Sequence, residues 1–143
     1  MLKGIPKIIP PKLMMILMEM GHGDEIVIGD GNYPASSSSK RLVRCDGHEV
    51  IDILDVILQF FPLDTFVDKP VTLMSIVEGD DVKSPPIWDE YRKIVKKHHN
   101  NFNEFNFEER FDFYRRSKES YAVIATSDQH LYANVILKKG IIK

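Results

Sequence analysis

The sequence is poor in cysteine, in long apolar runs and in net charge, and each scarcity closes a class of function. A single cysteine, Cys45, leaves no partner for an intramolecular disulfide and no thiolate cluster for a metal. It fits a reducing compartment, with the cytoplasm as the default. Leu13 to Met20 is apolar but short and interrupted by Glu19, well below the roughly 20 residues that span a bilayer. No basic start, apolar core and small-residue cleavage site follow in order, so neither a signal peptide nor an anchor is expected. A formal net charge of -2 gives no electrostatic reason to bind nucleic acid or an anionic membrane. There is also no glycine-rich phosphate loop, zinc-ligand pattern, nucleophile elbow or internal repeat. What remains is an ordinary composition of 143 residues, 43% hydrophobic and 28% charged, enough for one domain over 1–143 to bury a core unaided.

The informative stretch runs from Gly21 to Pro34. Ile26 to Ile28 is too uniformly apolar for a half-exposed strand and reads as one buried on both faces, as inside an α/β sheet. Asp30, Asn32 and Tyr33 then fall just past its carboxyl end, where ligands of open α/β sheets gather. His22 lies between Gly21 and Gly23, which free the backbone and leave little bulk around the imidazole. That setting suits a catalytic acid or base. It also suits a plain loop histidine beside a helix-stopping glycine, with Asp30 making a turn, and these residues alone favour the plainer reading.

Elsewhere the pattern alternates between helices and strands. Pro10-Pro11 opens a helix in which Leu13, Ile16, Leu17 and Met20 form one stripe, while Met14, Met15 and Met18 lie off it. A helix this apolar needs cover on more than one side, from a well-filled core or from self-association. Leu42 to Cys45 reads as a strand, and Asp46 as the cap of a buried helix from Val50 to Phe61, with His48 in the turn between them. Leu63 to Val67 is expected to be extended and Val71 to Val77 a strand. Within the first of these, Asp64 is either drawn to a site or closing a turn. Trp88 to His98 is a helix with His98-His99 at a solvated end.

Phe107 to Ser120 reads as a helix presenting Phe107, Arg110, Phe111 and Tyr114 inward. An inward guanidinium must find an anion, an internal salt bridge or a route to water. Tyr121 to Thr126 and Leu131 to Leu137 close the chain as strands, Tyr132 and Asn134 sharing a face of the second. Asparagine is disfavoured in mid-strand, which suggests a ligand, a subunit contact or a bulge.

Taken together, Gly21 to Val27, Asp30 to Ala35, Phe61 to Thr65, Pro85 to Tyr91, Glu109 to Tyr114 and Leu131 to Asn134 resemble the fucose mutarotase and ribose pyranase family in order and spacing. The fucose branch is the closer, because ribose pyranases usually carry histidine where Arg110 stands. The sequence departs at Gly31 and Tyr33, where alanine and phenylalanine are commoner, and in the plain serine run Ser36 to Ser39.

The resemblance implies an α/β fold, a three-layer α/β/α domain with a central, largely buried sheet, assembling into a ring-shaped homodecamer with sugar sites lined by neighbouring subunits. It implies His22 as catalytic proton donor, Tyr114 as a second proton-transfer group, and Asp30, Asp64, Arg110, Tyr132 and Asn134 as sugar contacts. The expected activity is interconversion of the α and β anomers of L-fucose. The alternatives are D-ribose pyranase-type activity and a non-catalytic sugar-binding protein. Neither metal nor cofactor is required, since ring opening needs only proton transfers, and an imidazole with its ordinary pKa near 6.5 gives and takes protons around neutrality.

Overall fold

The computed structural model describes residues 1–143 and contains four helices and six strands in one sheet. In chain order these are α1 (Pro11–Glu19), β1 (Glu25–Gly29), β2 (Leu42–Cys45), α2 (Val50–Leu58), β3 (Val71–Met74), α3 (Pro86–His98), β4 (Asn106–Glu108), α4 (Arg110–Glu119), β5 (Ala122–Thr126) and β6 (Val135–Lys138). The sheet order is β2-β5-β1-β6-β3-β4. β1 and β2 run parallel to β5, β4 runs parallel to β3, and β6 runs antiparallel to both of its neighbours.

The apolar run in β1 is buried on both faces, as its composition predicts. Ile26 and Ile28 point into a cluster that also holds α1, α2 and α3, whereas Val27 points into a second cluster served by α4. The layers are unequal. Twenty-nine buried residues make the three-helix side and eight the α4 side, so α4 alone roofs its face of the sheet. On the thick side, α2 buries Val50, Ile53, Leu54, Ile57 and Leu58, contributing roughly 1.5–3 kcal/mol each by removal from water.

Several expectations need correction. The helix of residues 107 to 120 begins only at Arg110, because Phe107 pairs with Leu73 in β4 and the Glu109 carboxylate caps the Phe111 and Asp112 N–H groups. With that start, Phe113 and Ser117 face inward and Phe111 stays 55% exposed. The arginine that enters the protein is Arg116, not Arg110. It binds Glu25 through two contacts of 2.7 and 2.8 Å, Glu108 at 2.9 Å and Thr72 at 3.0 Å, which joins α4 to three strands.

Asp46 does not cap α2. It pairs with Arg44 in solvent, and the Val50 N–H donates instead to Asp128 Oδ2 at 2.9 Å. Residues 63–67 join the sheet only through a bridge from Leu63 to Lys139, and β3 ends at Met74. His98 is not solvated: it contacts Asp55 at 2.7 Å with 13% of its side chain exposed. On α1 the predicted stripe is buried, while Met15 and Met18 remain 51% and 79% exposed.

Candidate active site

At the amino end of β1, His22 is presented by a short loop held through its backbone. The Gly23 N–H donates to Lys139 O at 2.8 Å with Gly23 at φ +86°, and the Gly21 N–H donates to Asp24 Oδ2 at 2.7 Å. The imidazole is 45% exposed, and its Nε2 lies 3.2 Å from Oδ1 of Asp64, whose side chain is only 3% exposed. Asp64 is delivered by the bridge to the chain's last strand: its N–H donates to Lys138 O at 3.0 Å. A Cβ at Gly140 would come within 2.5 Å of Leu63 O, so this crossing requires glycine. The Phe66 ring lies 5.3 Å from the imidazole, and the Phe66 N–H also donates to Asp64 Oδ1. Burial pushes the Asp64 carboxyl up, but the Phe66 N–H, His22 and the charge of Lys138 prevail and hold it below the ordinary carboxylate range.

Asp30, Asn134, Tyr132 and Arg110 sit at the other end of β1. The Asp30 N–H donates to Asn134 Oδ1 at 2.8 Å, and its carboxylate accepts from the Asn32 N–H at 2.9 Å. Burial raises the Asp30 pKa and so does nearby Asp128, while the Asn32 and Tyr33 N–H groups and the Asn134 amide pull it back. Tyr132 is not on a strand. It occupies a turn with φ +58°, a left-handed conformation uncommon for an aromatic residue. Its carbonyl accepts from Trp88 Nε1 at 2.9 Å, and its hydroxyl is bonded to the Val77 N–H and to Asp80. Arg110 is exposed, with its guanidinium 4.8 Å from the Phe111 ring centroid, in a shallow cleft shared with Val77 and Glu78. Its charge works against the rise that burial and Asp80 impose on the Tyr132 pKa.

Tyr114 lies one turn along α4 from Arg110, its ring 5.6 Å from that of Tyr33. Tyr33 itself is buried, its hydroxyl without a hydrogen-bond partner and its pKa pushed up to about 12 by burial.

The structure therefore brings His22 to Asp64, and Asp30 to Asn134, but separates the two groups by the length of β1, roughly 16 Å for a five-residue strand. Sequence reading missed Asp80, Phe66 and Asp128. Asp80 sits in a loop 52 residues from the hydroxyl that it binds, and Asp128 caps a helix 78 residues away, so no local pattern marks either.

The profile of the RbsD / FucU transport protein family matches residues 3–142. The chain belongs to that family. It is 43% identical to the fucose mutarotase of Danio rerio over 99% of this chain and 94% of that protein. It is 40% identical to the L-fucose mutarotase of Histophilus somni (strain 2336), over 99% of this chain and 97% of that one. A crystal structure of the fucose mutarotase in complex with L-fucose from Streptococcus pneumoniae superposes with a TM-score of 0.94 at 48% identity, covering 99% of this chain and 100% of that chain. The Streptococcus pneumoniae structure shares the α/β architecture over essentially the full length, which includes both ends of β1.

Proposed function

We propose that the chain is a mutarotase that interconverts the α and β anomers of L-fucose. The kinship with fucose mutarotases supports the substrate, and the half-exposed His22 held on a buried carboxylate is the observation that carries the chemistry. Opening a pyranose requires a proton delivered to the ring oxygen and one removed from the anomeric hydroxyl; the aldehyde end then rotates and recloses with the opposite configuration. His22 supplies the proton. With Nε2 donating to Asp64, Nδ1 is the nitrogen left to exchange it with the sugar. Asp64 is too enclosed to face a sugar well, so we assign it to orienting the imidazole and stabilising its charged form. Tyr114 is the second proton-transfer group, and Asp30, Arg110, Tyr132 and Asn134 hold the hydroxyl groups.

Because a monosaccharide is much shorter than β1, His22 and the Asp30 group meet on one sugar only across two copies of the chain. Exposed Met15, Met18, Phe66, Phe111 and Leu131 supply apolar surface for such contacts. We take the assembly to be a homodecameric ring of single-domain subunits, read from the family resemblance and checked by solution mass. No helix is long and apolar enough to cross a membrane, and with the lone Cys45 buried the compartment proposed is the cytoplasm.

The test is NMR saturation transfer between the anomeric signals of L-fucose and, side by side, D-ribose. Accelerated exchange of fucose is expected, with ribose slower. Faster exchange of ribose selects the pyranase-type activity, and binding without accelerated exchange selects a passive sugar-binding protein.

A further inference from the structure

The loop after β3 is folded around one phenolic oxygen. The Val77 N–H donates to the Tyr132 hydroxyl at 3.1 Å, and the hydroxyl proton goes to Asp80 Oδ2. The other Asp80 oxygen, Oδ1, accepts from the Val82 N–H at 3.0 Å. The Asp80 N–H closes back on Val77 O at 3.1 Å, and Gly79 turns the chain at φ +86°. Every polar contact of this turn therefore runs through Asp80 or the Tyr132 hydroxyl.

The other side of Tyr132 is held independently by α3. Trp88 Nε1 donates to Tyr132 O, and the Tyr91 hydroxyl donates to Ala133 O, each at 2.9 Å. The left-handed backbone at Tyr132 is thus fixed by α3 and its side chain by the Asp80 loop. The same loop contributes Val77 and Glu78 to the cleft that holds Arg110.

We propose that Asp80 is a positioning residue for sugar binding: it fixes the Tyr132 ring and the Val77–Val82 turn beside Arg110 and so shapes the pocket without touching the sugar. This rests on the assignment of Tyr132 as a sugar contact. A phenol has one proton and two acceptor lone pairs. With the proton committed to Asp80 and one lone pair to Val77, Tyr132 meets a sugar as an acceptor for one hydroxyl proton or through its ring face. The Tyr132 bond, the largest influence on Asp80, also keeps that carboxyl below its ordinary range, so the acceptor stays charged at neutral pH.

The test is a double-mutant cycle with Asp80→Ala, Tyr132→Phe and the pair, measuring KM and kcat for L-fucose anomer exchange and amide hydrogen exchange over residues 77–82. Each single change is expected to raise KM about tenfold with kcat much less affected, and the double variant to be no worse than the poorer single. Amide exchange at Val77 and Val82 is expected to accelerate in Asp80→Ala. Unchanged KM in Asp80→Ala, or a double variant near the product of the two singles, overturns the proposal. Unchanged amide protection over 77–82 overturns it as well.

If Tyr132→Phe leaves KM unchanged while 77–82 loosens in both singles, the sugar-contact assignment of Tyr132 fails and the positioning role falls with it. The latch itself is then retained as a purely structural feature. Should Asp80→Ala not fold, Asp80→Asn replaces it, because the amide keeps the shape but offers one acceptor oxygen where the turn uses two.

Discussion

The two ends of β1 are built by different means. At its amino end a single imidazole stands on a loop fixed by backbone hydrogen bonds, backed by one buried carboxylate from the bridge beside β6. At its carboxyl end, Asp30, Arg110 and the Tyr132–Asn134 stretch come from three separate segments, and side-chain bonds from α3 and the 77–82 turn hold the Tyr132 portion. The first arrangement suits proton transfer, which needs one titrating group in a steady orientation. The second suits recognition of a polyol, which needs several directional partners at fixed separations. A strand is a stiff spacer, so within one chain β1 holds these two settings roughly 16 Å apart.

The sharpest way to break this contrast is at His22. His22→Ala is expected to slow L-fucose anomer exchange by about 10²- to 10⁴-fold with the fold intact by circular dichroism, the usual worth of general acid-base help. Retained exchange would remove the imidazole from the chemistry. Next in size is a mixing experiment. On the proposed site shared by two copies, Arg110→Ala and His22→Ala proteins, each expected to be inactive alone, are expected to regain a substantial part of the exchange rate when unfolded and refolded together. Regain no greater than the sum of the separate proteins means that one chain supplies both halves.

A smaller effect, on stability, concerns the segment behind the recognition end. Asp128 caps α2 through Oδ2, accepts from His130 through Oδ1, and its backbone oxygen takes the Gly31 N–H at 2.8 Å. Asp128→Ala is expected to lower stability in urea by about 2 kcal/mol, mainly through the lost cap and an unsatisfied buried donor. A change within a few tenths of that of a surface substitution would show that the cap is dispensable.

The smallest expected effect is in pH dependence. Burial raises the Asp55 carboxyl, but His98 and Lys97 prevail and leave it below its ordinary value of 3.8. A carboxyl lowered in the folded state stabilises above its unfolded pKa, and that contribution is lost as pH falls through the folded value. Asp55→Asn is therefore expected to be less stable than the parent at pH 5–7 and to converge with it in stronger acid. Parallel stability curves down to pH 2 would remove the pair from the acid response.

Much of the secondary structure was legible because its signals are local. The apolar run 26–28, the α1 stripe and the proline opening of α1 each lie within one element, and all are found as expected. The misreadings have a common cause. Phe107 fits a helical stripe in sequence, but pairing with β3 offers its backbone a strand partner, and this rotates the inward face of α4 from Arg110 to Phe113. Tyr132 and Asn134 have strand spacing, yet Trp88 and Tyr91 take the carbonyls of residues 132 and 133 and hold the chain out of the sheet.

The sequence by itself determined the alternation of helix and strand, the burial of the sheet and the family, because hydrophobic period and the order of short motifs are properties of neighbouring residues. Only the tertiary structure decided that His22 is backed by Asp64, that Tyr132 is latched by Asp80, and that these two settings lie at opposite ends of one strand. Those are contacts between residues 42 and 52 positions apart, made by strand order and helix packing, and no spacing along the chain encodes them.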